Sequence, residues 1–269
     1  MIIVRIIGGA GNQLFQYSFG RYLSQLQDKE LYLDFTQQIE KYGHHEFILD
    51  LYNINANIIR DKDERIKIFN TIPFNRFRED QTKINKNIFI TDGNIYLNGY
   101  WQSEKYFNRI EDIIRKEITL KHPINNKKYK DVESDILNSN SVAIHVRKKN
   151  YLEHYSINFY VQYDESYYNK AIDIINDKID APELFIFSDD IEWCRQNIDV
   201  DGNFVDLKQE GWKDMELMKQ CKHFITANST FSWWGAWLSK NKNKIVITPK
   251  KWIHSEEINN RICRGWISI

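Results

Sequence analysis

The sequence predicts an α/β protein of two domains, each built from a parallel sheet with helices on its faces. Near the start, a short apolar run is followed by a glycine-rich turn and then by apolar residues at helical spacing. In the second half, strand-length apolar runs alternate with segments of helical spacing, four times in a row. The 269 residues suffice for two domains of about 100–150 residues each.

The first domain is expected to span residues 1–130. Its opening run is short and continuously apolar, which is typical of a buried strand, and the glycines after it predict a tight turn. Ser103 can cap a helix because its hydroxyl accepts a backbone N–H. Segment 36–87 is polar without a sustained period, so we expect irregular structure and short helices there. The predicted elements are strands over 2–7, 31–34, 88–91 and 95–97, and helices over 12–26 and 104–116.

The second domain is expected to span residues 131–269. Its predicted elements are strands over 142–146, 184–187, 203–205, 224–227 and 245–248, and helices over 164–179, 190–198, 212–221 and 231–239. Repeated strand–helix units imply a parallel sheet, because a parallel neighbour needs a crossover connection. We therefore predict two Rossmann-like domains that face an interdomain cleft, with ligands at the carboxyl ends of the strands.

Composition and charge exclude several classes of protein. Lys and Arg number 37, as do Asp and Glu, so the net charge is zero and general binding to nucleic acid is not expected. The three cysteines form no C-x-x-C pair, which predicts reduced thiols. No clean apolar run reaches the roughly 18 residues that a membrane span needs. The expected location is the cytoplasm, with docking at the inner face of the membrane left open.

The first candidate site is the glycine turn at residues 8–11 with Asn12 and Gln13 after it. Glycine lets the backbone bend and approach a ligand, and the helix that follows offers unpaired N–H groups. Gly9 and Gly11 match part of the dinucleotide fingerprint G-x-G-x-x-G, and Asp34 lies where a ribose-binding acid would be. An NAD(P)-linked oxidoreductase is therefore one alternative, and a simple tight turn is another.

The second candidate site is the run His145-Val146-Arg147-Lys148-Lys149-Asn150, which leaves the end of a predicted strand. Arginine can hold a phosphate with two parallel hydrogen bonds, and lysine adds a point charge. Such a run is usually a solvated surface. Its position directly after a buried strand favours an anion site instead.

Two further polar clusters follow predicted strands. Asp189 and Asp190 could bind a metal ion or accept hydrogen bonds from guanine, and the simpler interpretation is that Asp189 caps the next helix. Residues 228–237 begin with Asn228, Ser229 and Thr230 and include Ser232, and hydroxyl groups with helix N-terminal amides form a phosphate site. The simpler interpretation is that Ser229 caps the helix and that the tryptophans belong to the core.

Together these clusters predict binding of a nucleotide diphosphate. The ends of the strands carry no Cys-His or Ser-His-Asp arrangement for covalent catalysis. The residues therefore favour transfer of a group from an activated donor.

With these residues in view, the chain resembles the bacterial α-1,2-fucosyltransferases of glycosyltransferase family 11. The matching stretches are 8–17 (GGAGNQLFQY), 99–107 (GYWQSEKYF), 145–151, 187–193 (FSDDIEW) and 227–238 (ANSTFSWWGAWL). They extend over nearly the whole chain, and the first, second and last are long and specific.

The resemblance implies a GT-B architecture, with an acceptor-side first domain and a donor-binding second domain. It also implies GDP-β-L-fucose as the donor, inversion to an α-1,2 linkage on a β-galactoside, and no required metal or cofactor. The expected setting is surface polysaccharide or O-antigen synthesis, where lipid-linked acceptors would bring the enzyme to the membrane.

The resemblance also implies roles for particular residues. Arg147 would hold the β-phosphate of the leaving group, and Asn12 would assist near the phosphate and the sugar. The remaining expected donor-binding residues are His145, Lys148, Asp190, Ser229, Thr230, Ser232, Gly11 and Gln13, with His145 and Asp190 at the guanine.

The second cluster departs from the family pattern H-x-R-R-G-D-Y. Lys148, Lys149 and Asn150 replace the second Arg, the Gly and the Asp, and the amide of Asn150 cannot serve as a general base. Either the donor is another nucleotide-linked deoxysugar, or Arg147 carries the chemistry with little help from a base. Weak candidates for a base are Glu153, His154, Asp34 and Glu46. A carbohydrate-binding protein without catalysis is a further alternative, prompted by the aromatic content of 14%.

Overall fold

The computed structural model describes residues 1–41, 46–80, 84–148, 158–255 and 260–269. The chain forms two compact units, Met1–Pro123 and Ile124–Ile269. Each unit has its own sheet, and every strand pair in both sheets is parallel. The predicted mixed α/β class with two parallel sheets is confirmed.

The first unit is a five-stranded sheet in the order β3-β2-β1-β5-β4. Its strands are β1 (Ile2–Arg5), β2 (Leu31–Asp34), β3 (Asn57–Ile59), β4 (Asn75–Arg78) and β5 (Ile95–Asn98). Its helices are α1 (Ala10–Gln27), α2 (Thr36–Lys41), α3 (Lys62–Thr71) and α4 (Glu111–Glu117). The central strand β1 is buried, which fits the continuous apolar run that predicted it.

Helix α1 packs very close to the sheet of the first unit. A Cβ at Gly20 would lie 2.4 Å from Cγ2 of Val4 on β1, so any larger residue would push the helix away from the sheet. The helix ends at Asp28, which has a left-handed backbone conformation with φ of 48°. This close packing fixes the start of α1 relative to the end of β1.

Three expectations for the first unit are wrong or incomplete. Residues 88–91 do not form a strand, because Lys86–Phe89 is a 3-10 helix whose first turn is capped by the side chain of Asn85. The helix expected over 104–116 consists of two 3-10 turns followed by α4. The segment expected to hold irregular structure and short helices also contains the strands β3 and β4, and its helix α3 has no buried residue that could have produced an apolar period.

The second unit is a six-stranded sheet in the order β11-β10-β9-β6-β7-β8. Its strands are β6 (Asn140–Val146), β7 (Pro182–Ser188), β8 (Asn203–Phe204), β9 (His223–Ile225), β10 (Val246–Thr248) and β11 (Ile267–Ser268). Its helices are α5 (Lys127–Asn138), α6 (Glu165–Asn176), α7 (Ile191–Asn197), α8 (Gly211–Met218) and α9 (Thr230–Leu238). The four predicted strand–helix repeats are confirmed, whereas α5 and β11 were not predicted.

The tryptophans of α9 belong to the core, as the simpler interpretation held. Trp233 and Trp234 have no exposed surface, and Trp237 is also buried. A Cβ at Gly235 would lie 3.1 Å from Cβ of Met218, so the small residue lets α9 approach α8 closely. Among the described helices, none has the length and apolarity that crossing a bilayer requires.

Candidate functional site

In the second unit, three predicted site segments meet at one edge of the sheet. Strand β6 lies between β7 and β9, and Val146 pairs with Ser188 while Ile144 pairs with Ile225. Because all three strands are parallel, the residues that follow them emerge at the same edge. The structure therefore brings together the residues after β6, the Asp189-Asp190 pair and the start of α9.

His145 lies just beneath this edge as a buried imidazole. It is 5% exposed, and its ring lies 5.3 Å from the ring of Phe231 on α9. Burial, helped by the nearby charge of Arg147, lowers the pKa of His145 to about 3, so the ring is neutral at physiological pH. Its Nδ1 has no hydrogen-bond partner among the described residues. A buried polar atom without a partner is costly, which makes Nδ1 a candidate contact for a bound group.

Arg147 and Lys148 follow β6 directly, and both are partly exposed. The ammonium of Lys148 donates to the carbonyl of Tyr163 at 2.9 Å and lies 3.8 Å from the ring centroid of Trp193. Its backbone N–H donates to Asp189 at 2.8 Å, and burial lowers its pKa. Lys148 thus ties the end of β6 to its neighbours, and Arg147 lies at the same edge. Lys149, Asn150, Glu153 and His154 lie outside the described residues.

The two aspartates after β7 have separate partners. Asp190 caps α7 by accepting the backbone N–H of Trp193 at 3.2 Å, so the cap is not Asp189. Asp189 instead accepts the N–H of Lys148. Among the described residues, no group of three or more His, Cys, Asp or Glu is arranged to hold a metal ion.

The start of α9 is held mainly by its own side chains. Ser229 caps the helix by accepting from the N–H of Phe231 at 3.3 Å. Asn228 donates to the carbonyls of Val161 and Trp252 at 2.9 and 3.0 Å. Asn228, Ser229 and Ser232 are all buried. Thr230 is partly exposed in the first turn, where its hydroxyl can reach a ligand.

In the first unit, the glycine turn lies between β1 and α1 as predicted. Gly8 has φ of 83°, a conformation that favours glycine. Gln13 is fully buried, and its amide donates to the carbonyls of Gly8 and Glu46 and accepts from the N–H of Ile48. The side chain of Gln13 therefore holds the turn, while the partly exposed Asn12 follows Gly11 in the first turn of α1.

Two more glutamines at this turn were not singled out from the sequence. Gln16 accepts from the N–H of Ile7 at 3.0 Å and donates to the carbonyl of Gly99 at 3.1 Å. Gln102 donates from Nε2 to Oδ1 of Asn12 at 2.8 Å. The contacts of Gln16 and Gln102 join stretches 8–17 and 99–107, but no pattern within either stretch indicated this pairing.

Asp34 is placed differently from a ribose-binding acid. It is completely buried, forms an ion pair with Arg65 at 2.8 Å and accepts from the hydroxyl of Thr36 at 2.7 Å. The hydroxyl of Tyr96 lies 3.3 Å from the same carboxylate. These contacts account for Asp34 as an internal ion-pair partner, which removes support for the NAD(P) alternative.

A family model and several known proteins match most of this chain. The model of glycosyl transferase family 11 matches residues 1–269. An α-1,2-colitosyltransferase from Escherichia coli is 31% identical, with 97% of this chain and 95% of that protein aligned. The O-antigen biosynthesis glycosyltransferase WbnK from E. coli is 27% identical over 97% of this chain and 98% of that protein. Galactoside α-(1,2)-fucosyltransferase 1 from Bos taurus is 25% identical, over 86% of this chain and 64% of that protein.

Among solved structures, the NodZ α-1,6-fucosyltransferase soaked with GDP-fucose has a similar fold. The TM-score is 0.54 at 15% identity, and the alignment covers 88% of this chain and 91% of that one. Identity at this level supports the fold alone. The predicted GT-B class is confirmed.

Proposed function

The chain belongs to glycosyltransferase family 11, and from this premise we propose that it transfers L-fucose from GDP-β-L-fucose to a β-galactoside hydroxyl group. The product is an α-1,2 linkage, formed with inversion at the anomeric carbon. The galactoside α-(1,2)-fucosyltransferase relative supports the linkage and the acceptor class. The O-antigen glycosyltransferase relative supports a role in surface polysaccharide synthesis, where a lipid-linked acceptor would bring the enzyme to the membrane.

The observation that carries this proposal is the chemistry at the carboxyl edge of the second sheet. Arg147 is a partly exposed cation directly after β6, and the start of α9 lies beside it with Thr230 partly exposed. A guanidinium and the N-terminus of a nine-residue helix both favour a phosphate group. Nδ1 of the neutral His145 imidazole has no partner within the described ranges, and in this proposal it bonds a base edge or a hydroxyl group.

In the proposed reaction, the acceptor oxygen forms a bond to the anomeric carbon as the bond from that carbon to the β-phosphate oxygen breaks. The electron pair of the broken bond leaves with GDP, and the acceptor hydroxyl releases its proton to solvent water. Arg147 stabilises the negative charge that develops on GDP, which is the main contribution to the rate. Strong stabilisation of the leaving group supports a loose transition state, so little help from a base is needed.

The other predicted residues have supporting roles in this proposal. Asn12 assists near the phosphate and the sugar, and Asp190 and His145 contact guanine. Backbone groups supply the contacts at Gly11, Ser229 and Ser232, since the side chains of the two serines already bond within α9. Lys148 and Gln13 act through the loops that they hold, since both side chains are bonded to protein groups.

A different donor sugar is the second candidate. The relative at 31% identity is an α-1,2-colitosyltransferase, and colitose is L-fucose without the 3-hydroxyl group. The same leaving group, acceptor geometry and linkage would serve both sugars. The two sugars differ only in the 3-hydroxyl group. A site that hydrogen-bonds this hydroxyl group would reject the deoxy sugar, because its polar groups would lose their partner.

The test is a donor panel with lactose as acceptor, in buffer with EDTA. GDP-fucose, GDP-colitose, GDP-mannose and UDP-galactose are each supplied to the purified protein, and the product linkage is determined by NMR. Transfer from GDP-fucose to the 2-hydroxyl of galactose is the expected result. Preference for GDP-colitose would select the second candidate, and activity that needs added magnesium or manganese would overturn the proposed independence of metal.

A further inference from the structure

The contact between Gln102 and Asn12 fixes which way the Asn12 amide faces. Nε2 of Gln102 donates to Oδ1 of Asn12 at 2.8 Å, although the two residues are 90 positions apart in the chain. A Cβ at Gly8 would lie 2.6 Å from Nδ2 of Asn12, so the amide nitrogen lies where a side chain at Gly8 would begin. With Oδ1 turned towards Gln102, the NH2 group of Asn12 therefore lies beside the glycine turn.

The segment that carries Gln102 has an unusual backbone. Trp101 is 1% exposed and has φ of 56°, a left-handed conformation that is rare for a bulky residue. The carboxylate of Glu79 accepts the backbone N–H groups of Tyr100 and Trp101 at 2.6 and 2.9 Å. Conformations of this kind persist only where surrounding contacts enforce them, and they concentrate at functional sites.

Gln16 connects the same segment to the residues before the glycine turn. Gln16 is fully buried and bridges the N–H of Ile7 to the carbonyl of Gly99. A Cβ at Gly99 would lie 2.3 Å from Cβ of Glu79, so only glycine allows this approach. Glu79 and Gln16 therefore both hold the segment at residues 99–101 in place. Gln102, which follows this segment, reaches Asn12.

We propose that Gln102 is a positioning residue that orients the carboxamide of Asn12, so that its Nδ2 donates to the phosphate or sugar of the donor. The inference rests on the proposed function, because it concerns the role given there to Asn12. A carboxamide can rotate by half a turn and exchange its oxygen for its NH2 group at almost no change in shape. A fixed donor at Oδ1 selects one of these two orientations.

The first test compares two variants at position 102. Gln102→Leu keeps much of the volume but cannot donate, and Gln102→Glu supplies an acceptor that favours the reversed Asn12 amide. We expect kcat for transfer from GDP-fucose to fall about 10-fold to 100-fold in both, with the KM for the donor changed by less than about threefold. The control is Gln27→Leu, which removes a glutamine at the far end of α1 whose side chain contacts only Lys29 in the described structure.

A double-mutant cycle with Asn12→Ala separates positioning from general damage. If Gln102 acts through Asn12, Gln102→Leu adds less than about threefold to the loss already caused by Asn12→Ala. If the two losses multiply, Gln102 acts independently of Asn12 and the inference is overturned.

A readout without turnover distinguishes failure of this inference from failure of the proposed function. In protein labelled selectively with 15N-asparagine, the Asn12 side-chain NH2 signals are assigned by their loss in Asn12→Asp. Positioning predicts that Gln102→Leu shifts these signals and speeds their solvent exchange, while Gln27→Leu leaves them in place. Unchanged signals in Gln102→Leu would overturn the inference even if the enzyme transfers fucose. Shifted signals in a protein without fucosyl transfer would overturn the proposed function alone.

Discussion

The two candidate regions are built from different chemistry at equivalent places in their sheets. The glycine turn of the first unit is held by neutral amides, those of Gln13, Gln16 and Gln102, each bonded to a backbone or amide group. The carboxyl edge of the second unit instead gathers charges, namely Arg147, Lys148 and the Asp189-Asp190 pair. Each edge follows parallel strands, so the fold supplies the location and the side chains decide its chemistry.

The physical cost of burial explains why the first region uses amides and the second uses charges. Burying an amide costs little free energy when both its C=O and its NH2 group are hydrogen-bonded, so it can fix backbone geometry inside the protein. A charge is costly to bury without a partner, so it belongs where an anion arrives or where it binds a protein group. Removing an amide is therefore expected to change stability or geometry, and removing Arg147 is expected to change catalysis.

The largest expected effect is on catalysis in the charged region. Arg147→Ala should lower kcat/KM by more than about 100-fold, or about 3 kcal/mol, because a main stabiliser of the leaving group is lost. The matched control is Arg195→Ala, since Arg195 is exposed and stacks on Phe204 in the same unit. Steady-state kinetics with GDP-fucose measures both. A folded Arg147→Ala protein with near-normal turnover would remove the basis of the comparison.

The next effect is on stability in the amide region. Gln16→Leu should lower the free energy of unfolding by about 2–3 kcal/mol, because the buried N–H of Ile7 and the carbonyl of Gly99 both lose a partner. Urea unfolding followed by tryptophan fluorescence measures the change, with Gln27→Leu as the control. A loss of less than about 0.5 kcal/mol, typical of exposed positions, would show that amides do not hold this turn.

The third effect is the pH dependence of stability at His145. Its pKa is about 3 in the folded protein and about 6.5 when unfolded, so between these values only the unfolded chain binds the proton. Stability therefore falls as pH drops through this range, by about 1 kcal/mol per pH unit from this residue. Unfolding of wild type and His145→Gln at pH 6 and pH 5 should show the smaller loss in the variant. His223, whose pKa burial also lowers, is retained in both proteins, and equal losses would contradict the assignment.

The smallest expected effect is on stability, when Lys148 loses its ammonium group. Lys148→Met should reduce the free energy of unfolding by about 1 kcal/mol, because the ammonium loses Trp193 and the carbonyl of Tyr163. Lys170→Met, at an exposed position on α6, is the control. Thermal unfolding measures both variants, and identical melting temperatures for wild type and Lys148→Met would show that Lys148 is not a structural cation.

Much of the fold followed from periodicity, and the failures have a common cause. The second unit was predicted well because its strands are continuously apolar and its helices α6 and α9 bury apolar faces. In the first unit, α3 buries no residue and β4 is largely exposed, so neither has the apolar pattern that sequence reasoning uses. The run Ile88-Phe89-Ile90 is continuously apolar and so imitates a buried strand, although the 3-10 helix at Lys86–Phe89 buries only Ile88 and Ile90 after it is exposed.

Some features of the candidate site could be predicted from the sequence, and others could not. Strand ends and cap residues such as Ser229 were readable, because a short polar residue before an apolar helix has few other roles. The bond between Gln102 and Asn12 was not readable, since it depends on a left-handed Trp101 and on a pairing across 90 positions. No local pattern encodes which of several glutamines reaches a given amide.

The sequence alone determined the α/β class, the parallel sheets and the strand ends at which polar residues gather, because these follow from local spacing of apolar, glycine and capping residues. It also carried motifs specific enough to place the chain in its family. The tertiary structure decided which polar side chains are already bonded and which are presented. Lys148, Gln13 and Ser232 proved to bind protein groups, whereas Nδ1 of His145 has no partner among the described residues. Burial and hydrogen bonding depend on residues distant in the chain, and that is why only the folded structure could settle them.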